Sequence, residues 1–158
     1  MNSELNTICT FELANLRFGL PVNMVQEVIR QQDVTDVPLS PNSISGLINL
    51  RGQIITVVDL NHLLLSEEEN TPREKRLFLV CAPRRTPLAL VIDKVGDVLK
   101  IDAKKIERSP ENIHGIVRDV IDGAYKTDDE LILLFNARRA VTLIMEDIKK
   151  NQPGHLFG

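Results

Sequence analysis

The sequence predicts an all-β protein with short helices, and three observations support this prediction. Short apolar runs rich in β-branched residues recur along the chain, divided by Gly, Asn, Asp and Pro. Helical periodicity is brief, and its longest stretch covers residues 137–149, with Asn136 as the candidate N-cap. Similar segments also recur in the same order in the two halves of the chain. Many strands without long helices favour barrels or a sandwich.

The first two predicted strands, residues 8–13 and 16–20, flank Ala14-Asn15, a pair typical of a tight turn. Short helical segments are predicted at residues 22–25 and 60–65, and Asp59 is positioned to cap the second of these. Two polar segments, residues 66–73 and 125–130, are interpreted as linkers. The remaining predicted strands cover residues 27–30, 47–50, 53–58, 76–81, 88–92, 97–101, 113–120 and 131–135.

Three pairs of similar segments suggest that the chain contains a duplicated β-unit. Residues 22–29 match the apolar and polar pattern of the segment 70 positions later. Residues 44–47 resemble residues 113–116, at an offset of 69, and residues 57–60 resemble the segment 77 positions later. Coincidence among apolar runs explains one such match more easily than three in order, which favours duplication.

The composition favours a protein partner over nucleic acid. A chain of 158 residues can bury roughly 70% of its unfolded surface, which suffices for one core or two small cores that share an interface. The net charge is −3, and Lys and Arg are spread along the chain, whereas nucleic acid requires a basic patch. With no Trp, one Tyr and five Phe, a stacking platform for bases is poorly supplied.

The cysteines and the apolar runs predict a cytoplasmic protein that does not insert into a membrane. Cys9 and Cys81 lie far apart in apolar runs and outside any CxxC or Cys/His cluster, so we interpret both as reduced core residues. The first residues lack the basic and apolar regions of a signal peptide. No apolar run reaches the ~18 residues that a spanning helix needs.

The segment GLINLRGQIITVVDLNHLL is the most informative stretch of the chain. Two strand-like runs meet at Arg51-Gly52, which predicts a hairpin with a cationic tip. Taken alone, an Arg-Gly pair favours a solvated turn residue. The whole segment, however, resembles the hallmark of CheW-like domains, the coupling proteins of bacterial chemotaxis arrays. The resemblance extends over residues 8–148, with Asn136 where the family usually has Asp.

This resemblance implies a more specific fold than the strand pattern does. It implies two pseudo-repeated, five-stranded SH3-like β-barrels packed side by side in a single domain covering residues 1–158. The expected first subdomain covers approximately residues 15–75, and the second approximately residues 8–14 and 76–148. Residues 151–158 are expected to form a disordered tail.

The resemblance also implies a non-enzymatic cytoplasmic adaptor in chemotaxis signal transduction. Such an adaptor couples the cytoplasmic tips of chemoreceptors to the regulatory domain of a CheA-type histidine kinase, in arrays at the inner face of the membrane. Receptor contact carries over to Val25, Glu27, Asn49 and Arg51. Two alternatives remain open: a coupling protein of pilus motility or another chemosensory pathway, and a small ligand-binding β-barrel regulator.

Kinase contact is less clearly marked in the sequence. In the family, exposed strands of each barrel join the kinase, which points to residues 54–56 and 92–98. From these segments we select Ile54, Thr56, Val95 and Asp97 as kinase-binding residues. Alternating polar and apolar positions there indicate strands with one exposed face.

No motif in the sequence indicates catalysis, a metal or a cofactor. The three histidines, His62, His114 and His155, have no metal-binding spacing. The acidic runs at residues 67–69 and 128–130 are interpreted as solvated loop charge. Asp93 and Asp97 could form a calcium or general-base site, but a turn cap paired with Lys94 is favoured.

Overall fold

The computed structural model describes residues 5–38, 44–60, 76–113 and 118–151. Within these ranges the protein forms ten β-strands and an α-helix of 15 residues, together with short 3-10 turns and a helical segment at Arg118 and Asp119. In chain order these elements are β1 (Leu5–Leu13), β2 (Leu16–Pro21), β3 (Val25–Arg30), β4 (Ile44–Leu50), β5 (Gln53–Val58), β6 (Leu77–Cys81), β7 (Leu88–Ile92), β8 (Lys94–Asp102), β9 (Ile121–Lys126), β10 (Leu131–Phe135) and α1 (Ala137–Asn151).

The strands form two five-stranded sheets packed side by side, which confirms the predicted all-β class. The first sheet has the order β3-β6-β7-β5-β4, and the second sheet has the order β8-β1-β2-β10-β9. Each sheet contains one parallel pair, β5 with β7 and β2 with β10, and its other pairs are antiparallel. Each sheet therefore combines three strands from one half of the chain with a hairpin from the other half.

This exchange of hairpins differs from the strand assignment predicted from the sequence. The expected first subdomain, residues 15–75, includes β2, but β2 is hydrogen-bonded in the second sheet. The expected second subdomain includes β6 and β7, which lie in the first sheet. The reason is that a hairpin satisfies its internal hydrogen bonds by itself, so its sequence does not reveal which sheet it joins.

The two sheets repeat one another closely, down to their irregularities. Val25 pairs with Cys81 in the first sheet, and Val95 pairs with Phe11 in the second, so β1, β2 and β3 correspond to β6, β7 and β8 at an offset of 70. A β-bulge interrupts the ladder at this same point in both sheets. The first and third matches found in the sequence are therefore structurally equivalent in their strand portions.

The second match is wrong. Residues 44–47 correspond to residues 121–124, at an offset of 77, because Gly46 pairs with Val57 as Gly123 pairs with Leu134. The predicted strand over residues 113–120 is also wrong, since Arg118 and Asp119 are helical and β9 begins only at Ile121. The pattern Ile-x-Gly followed by an apolar residue occurs twice in this region, and sequence matching selected the wrong copy.

Three apolar clusters explain why several strands are apolar at every position. The largest cluster lies between the sheets and contains Phe11, Phe18 and Phe135, with the first two rings stacked at 5.4 Å between centroids. A second cluster fills the inner face of the first sheet, and a smaller third cluster lies on the inner face of the second sheet. β7 is buried along its whole length because its alternate side chains enter different clusters.

Local turn chemistry agrees with the sequence at some points and corrects it at others. Ala14 and Asn15 have φ of 57° and 64° and form the predicted tight turn between β1 and β2. The segment 125–130 is not a linker, because β9 continues to Lys126 and a short turn then leads into β10. Thr127 and Glu130 close that turn with a backbone hydrogen bond of 2.9 Å.

The cap at Asn136 is confirmed, since its Oδ1 accepts the Arg139 amide at 2.9 Å. α1 continues to Asn151, so the first residue of the expected tail is helical. Several predicted features lie outside the described residues: most of the helix at 60–65, the linker at 66–73, the three histidines and residues 152–158.

Candidate interaction surface

A rigid two-residue turn presents Arg51 at the tip of the β4–β5 hairpin. Arg51 and Gly52 have φ of 52° and 86°, and positive φ at both central positions is the geometry of a type I′ turn. Asn49 stabilises this turn because its Oδ1 accepts the Gly52 amide at 2.9 Å. Arg51 therefore occupies a left-handed conformation that is uncommon for a residue with a Cβ atom.

Arg51 forms an ion pair with Glu27 on the edge strand β3. The contact links the tip of one edge hairpin to the opposite edge of the same sheet. The Arg51 side chain is 68% exposed and that of Glu27 is 29% exposed, so water screens the pair, and its contribution to stability is on the order of 0–1 kcal/mol. The main consequence is geometric, because the contact fixes the direction of both charged groups.

The four predicted receptor-binding residues all lie in the first sheet. Glu27 and Arg51 are in direct contact, and Asn49 belongs to the same hairpin as Arg51. Val25 lies two residues before Glu27 on β3, where it is half-buried against the shared core. The structure thus places three polar groups at the surface and Val25 at the border between the surface and the core.

The four predicted kinase-binding residues are divided between two surfaces. Ile54 and Thr56 are on β5 of the first sheet, whereas Val95 and Asp97 are on the edge strand β8 of the second sheet. Ile54 is 59% exposed. It lies directly across from Asn49 in the strand register, so it adjoins the predicted receptor-binding group.

Val98 is an exposed apolar residue of the predicted kinase-facing segment 92–98, although it is not one of the four residues predicted to bind the kinase. Its side chain is 58% exposed, and Val95 on the same strand is 45% exposed. Exposed charged residues flank this apolar pair on β8, namely Lys94, Asp97 and Lys100. Its signal in the sequence was a β-branched residue between Asp97 and Leu99, which predicts a strand but not which face stays uncovered.

A network of polar contacts holds β8 in place from behind. The buried Thr10 donates its hydroxyl to the Asp97 carbonyl oxygen at 2.7 Å. Arg17 lies over Gly96, where a Cβ atom would collide with its guanidinium group, and its Nε contacts Glu130 at 2.8 Å. The bulge in β8 is therefore tied to β1, β2 and the β9–β10 turn.

Asp93 serves as a turn cap, although its ionic partner differs from the predicted one. Its Oδ2 accepts the Ala14 amide at 3.1 Å. Its Oδ1 lies 3.8 Å from Nε of Arg76, in place of the expected contact with Lys94. Among the described residues, no group of three or more His, Cys, Asp and Glu side chains is arranged to hold a metal ion.

Both cysteines are buried free thiols. Burial raises the pKa of Cys9 above its ordinary value, and it raises the pKa of Cys81 from 9.0 to about 12. Because the thiolate is the nucleophile, these thiols are poorly suited to redox or covalent chemistry at neutral pH. Within the part of the chain that the structure describes, no helix is long and apolar enough to cross a membrane.

Comparison with known proteins agrees with this arrangement. The family model described as "CheW-like domain" matches residues 7–144. "Chemotaxis protein CheW" of Treponema pallidum (strain Nichols) is 24% identical over 142 residues, which cover 88% of this chain and 84% of that protein. The protein of the same name from Thermotoga maritima (strain MSB8) is 27% identical over 135 residues, covering 85% of this chain and 86% of that protein.

A solved structure shows the same fold. It is described as the crystal structure of the scaffolding protein TtCheW from Thermoanaerobacter tengcongensis. The two chains are 31% identical with a TM-score of 0.73, and the match covers 82% of this chain and 88% of the other. Given the family model, the relatives and the shared arrangement of two sheets, this chain belongs to the CheW-like domain family.

Proposed function

We propose that this protein is a non-enzymatic adaptor that couples chemoreceptors to a CheA-type histidine kinase in chemotaxis. The observation that carries the proposal is the fixed tip of the β4–β5 hairpin, where Arg51 is held by its turn and by Glu27. A pre-organised, exposed arginine is a common anchor of protein interfaces. The relatives are named as chemotaxis proteins and the similar structure as a scaffolding protein, which supports an adaptor role.

On the receptor side, the first sheet contributes Val25, Glu27, Asn49 and Arg51. The partner is the cytoplasmic tip of a chemoreceptor. Arg51 and Glu27 set the register of the contact, because paired charges of opposite sign accept only a complementary arrangement. The half-buried Val25 supplies apolar area at the edge of these charges.

On the kinase side, Ile54 and Thr56 form one contact and Val95 and Asp97 form another. The two pairs lie on different sheets, so one adaptor can join two neighbours at once. Each contact is small and therefore weak, and repeated contacts in an array supply avidity. The partner domain is the regulatory domain of the kinase, and the adaptor acts in the cytoplasm at the inner face of the membrane.

The direct test is calorimetric binding of the purified protein to a receptor cytoplasmic fragment and to a CheA-type regulatory domain. We expect Arg51→Glu to weaken receptor binding by about 30-fold or more, since loss of an interface anchor costs about 2 kcal/mol or more. Kinase binding and the melting temperature should stay nearly unchanged.

Arg108→Glu is the matched control, because it reverses the charge of another exposed arginine away from the hairpin. If both variants bind the receptor as the unmodified protein does, Arg51 is not part of the receptor site. Absence of binding to any receptor or kinase would contradict the coupling function. Binding only to partners from a pilus-motility pathway would assign the same adaptor role to that pathway.

A further inference from the structure

The two sheets differ at three pairs of equivalent positions, which in the first sheet are occupied by Asp59, Arg76 and Asp93. In the first sheet, Arg76 precedes β6, and its side chain is only 12% exposed. Its Nη1 lies 3.5 Å from Oδ2 of Asp59, and its Nε lies 3.8 Å from Oδ1 of Asp93. Because Arg76 lies two residues before Phe78, it is on the face of the strand that lines the inner core of the first sheet.

In the second sheet, the same three positions carry uncharged amides. By the offset of 70, Asn6 is the equivalent of Arg76 and Asn23 is the equivalent of Asp93. By the offset of 77, Asn136 is the equivalent of Asp59. Asparagine is too short to occupy the space that the arginine side chain fills in the first sheet.

A cavity of about 450 Å³ opens at this position in the second sheet. Asn6, Asn23 and Asp122 supply polar groups in its lining, whereas Ile8, Ile101 and Leu134 supply apolar walls. Gly19 also lines the cavity, where the first sheet has Ala89. The inner core next to the cavity is smaller than the corresponding core of the first sheet, which agrees with an unfilled space.

The cavity in the second sheet also contains a carboxylate, but this carboxylate belongs to β9, which is not the position of either aspartate in the first sheet. Asp122 on β9 lines the cavity, at the position that Ser45 occupies in the first sheet. Asn136 orients this carboxylate, because its Nδ2 lies 3.0 Å and 3.2 Å from the two oxygens of Asp122. A negative group thus lies beside an apolar space in both sheets, and among the described residues the cation at this position is Arg76 of the first sheet.

We propose that this cavity binds a guanidinium group, in the position that Arg76 occupies in the other half of the protein. The planar, weakly hydrated guanidinium can lie against apolar walls and donate several hydrogen bonds in fixed directions. The Asp122 carboxylate accepts hydrogen bonds from one edge of the guanidinium group, and the amide oxygens of Asn6 and Asn23 accept hydrogen bonds from the other edge. The ligand is either an arginine side chain of a partner or a small guanidinium compound.

The first test follows backbone and side-chain amide resonances of the ¹⁵N-labelled protein during titration with methylguanidinium. We expect saturable shifts at Asn6, Asn23 and Asp122, with a dissociation constant on the order of 1–10 mM for so small a ligand. Methylammonium should bind at least several-fold more weakly, because it lacks the planar fork. Absence of saturable shifts at these three residues, or equal binding of methylammonium, would overturn the proposal.

Two variants separate binding in the cavity from general charge effects. Asp122→Asn should weaken methylguanidinium binding by up to about fivefold, because water screens an exposed carboxylate and such an ion pair is worth about 1 kcal/mol at most. Asp128→Asn removes an exposed carboxylate from the β9–β10 turn and should leave binding unchanged. If both variants weaken binding equally, the ligand responds to net charge and the proposed site is wrong.

A third variant, Asn6→Arg, supplies the missing side chain from the protein itself. We expect it to abolish methylguanidinium binding and to raise the melting temperature, because its side chain fills the cavity. If it folds and still binds methylguanidinium normally, the ligand is not in this cavity. A capped Gly-Arg-Gly peptide distinguishes the two ligand sources: tighter binding of the peptide than of methylguanidinium indicates an arginine side chain, and weaker binding indicates a small compound.

Discussion

The edge strands β3 and β8 occupy equivalent positions in the two sheets but present different surfaces. Val25 and Val28 on β3 are half-buried against the shared core. Their counterparts on β8, Val95 and Val98, are 45% and 58% exposed. The same β-bulge occurs in both strands, so the backbone alone does not explain the difference. A duplicated frame has therefore acquired two distinct edges, and this permits two different partners.

The two edges also differ in how their polar contacts are arranged. On the first sheet the exposed Arg51 contacts Glu27 from outside, and both groups remain accessible. On the second sheet Arg17 and Thr10 hold β8 from behind, with Arg17 only 26% exposed. The first arrangement leaves charged groups exposed, whereas the second supports an apolar strand.

The largest expected effect on stability distinguishes two equivalent glycines. At Gly46, with φ of 148°, an added Cβ would collide with the Thr35 carbonyl oxygen, and at Gly123 it would collide with that of Glu107. We expect Gly46→Ala to cost about 3 kcal/mol, because it adds backbone strain to the collision. Gly123→Ala should cost less, since no positive φ adds strain there.

Chemical denaturation of both variants measures this difference. Equal losses of unfolding free energy would show that the collision alone determines the cost. A neutral Gly46→Ala would contradict the close approach between β4 and the segment around Thr35.

The next prediction compares the two edges directly. Val28→Asp should lower the free energy of unfolding by about 1–3 kcal/mol, because it places a carboxylate against the shared core. Val98→Asp should change it by less than about 0.5 kcal/mol, because that side chain is exposed.

If Val98 is part of the kinase contact, Val98→Asp should also weaken binding to the regulatory domain without lowering the melting temperature. Thermal unfolding and calorimetry on the same samples separate the two effects. A strongly destabilised Val98→Asp variant would mean that β8 is covered rather than open.

A smaller loss of unfolding free energy is expected from substitution of Asp59, which follows β5, or of Asn136, which follows β10. Asn136→Ala should cost about 0.5–2 kcal/mol, because it removes the cap of α1. Asp59→Ala should cost at least as much, because it removes both the proposed cap and a carboxylate close to the buried Arg76. The denaturation midpoints of the two variants show which substitution costs more stability. An unchanged midpoint for Asp59→Ala would mean that Asp59 neither caps a helix nor stabilises the fold through Arg76.

The pH dependence of stability should reveal the buried thiol of Cys81. Folding raises its pKa from 9.0 to about 12. The unfolded chain therefore loses the thiol proton first as the pH rises. The contribution of the protonated thiol to the free energy of unfolding is fully present below pH 9.0, and it should be lost as the pH rises from 9.0 to about 12.

Cys81→Ala provides the control for this titration. Its stability should fall less steeply over that range than the stability of the unmodified protein, although its cavity lowers the starting value. Identical slopes for the two proteins would contradict the burial of Cys81.

The sequence predicted the strands well because their apolar runs are bounded by strong turn signals. Gln53–Val58, Leu88–Ile92 and Leu131–Phe135 agree residue for residue with the prediction. The hairpin with Arg51 at its exposed tip was also expected from the sequence. These features depend on local patterns and on a specific motif, which a single sequence displays directly.

Features that depend on pairing between distant segments could not be predicted in the same way. The exchange of hairpins between the sheets leaves no local trace, because each hairpin is complete by itself. The exposure of Val98 also depends on what packs over β8, and its identity as a valine does not reveal this. The contact between Arg76 and Asp93 connects elements that are separated by β6 and β7.

The proposed function requires that a receptor and a kinase bind this protein at the same time. The most direct measurement is calorimetry with three components: the protein, a receptor cytoplasmic fragment and a CheA-type regulatory domain. We expect each partner to bind with a dissociation constant on the order of micromolar, both partners to bind together, and Arg51→Glu to lose binding to the receptor fragment while it keeps binding to the kinase domain. Competition between the two partners for one site, or failure of either to bind, would contradict the proposed function.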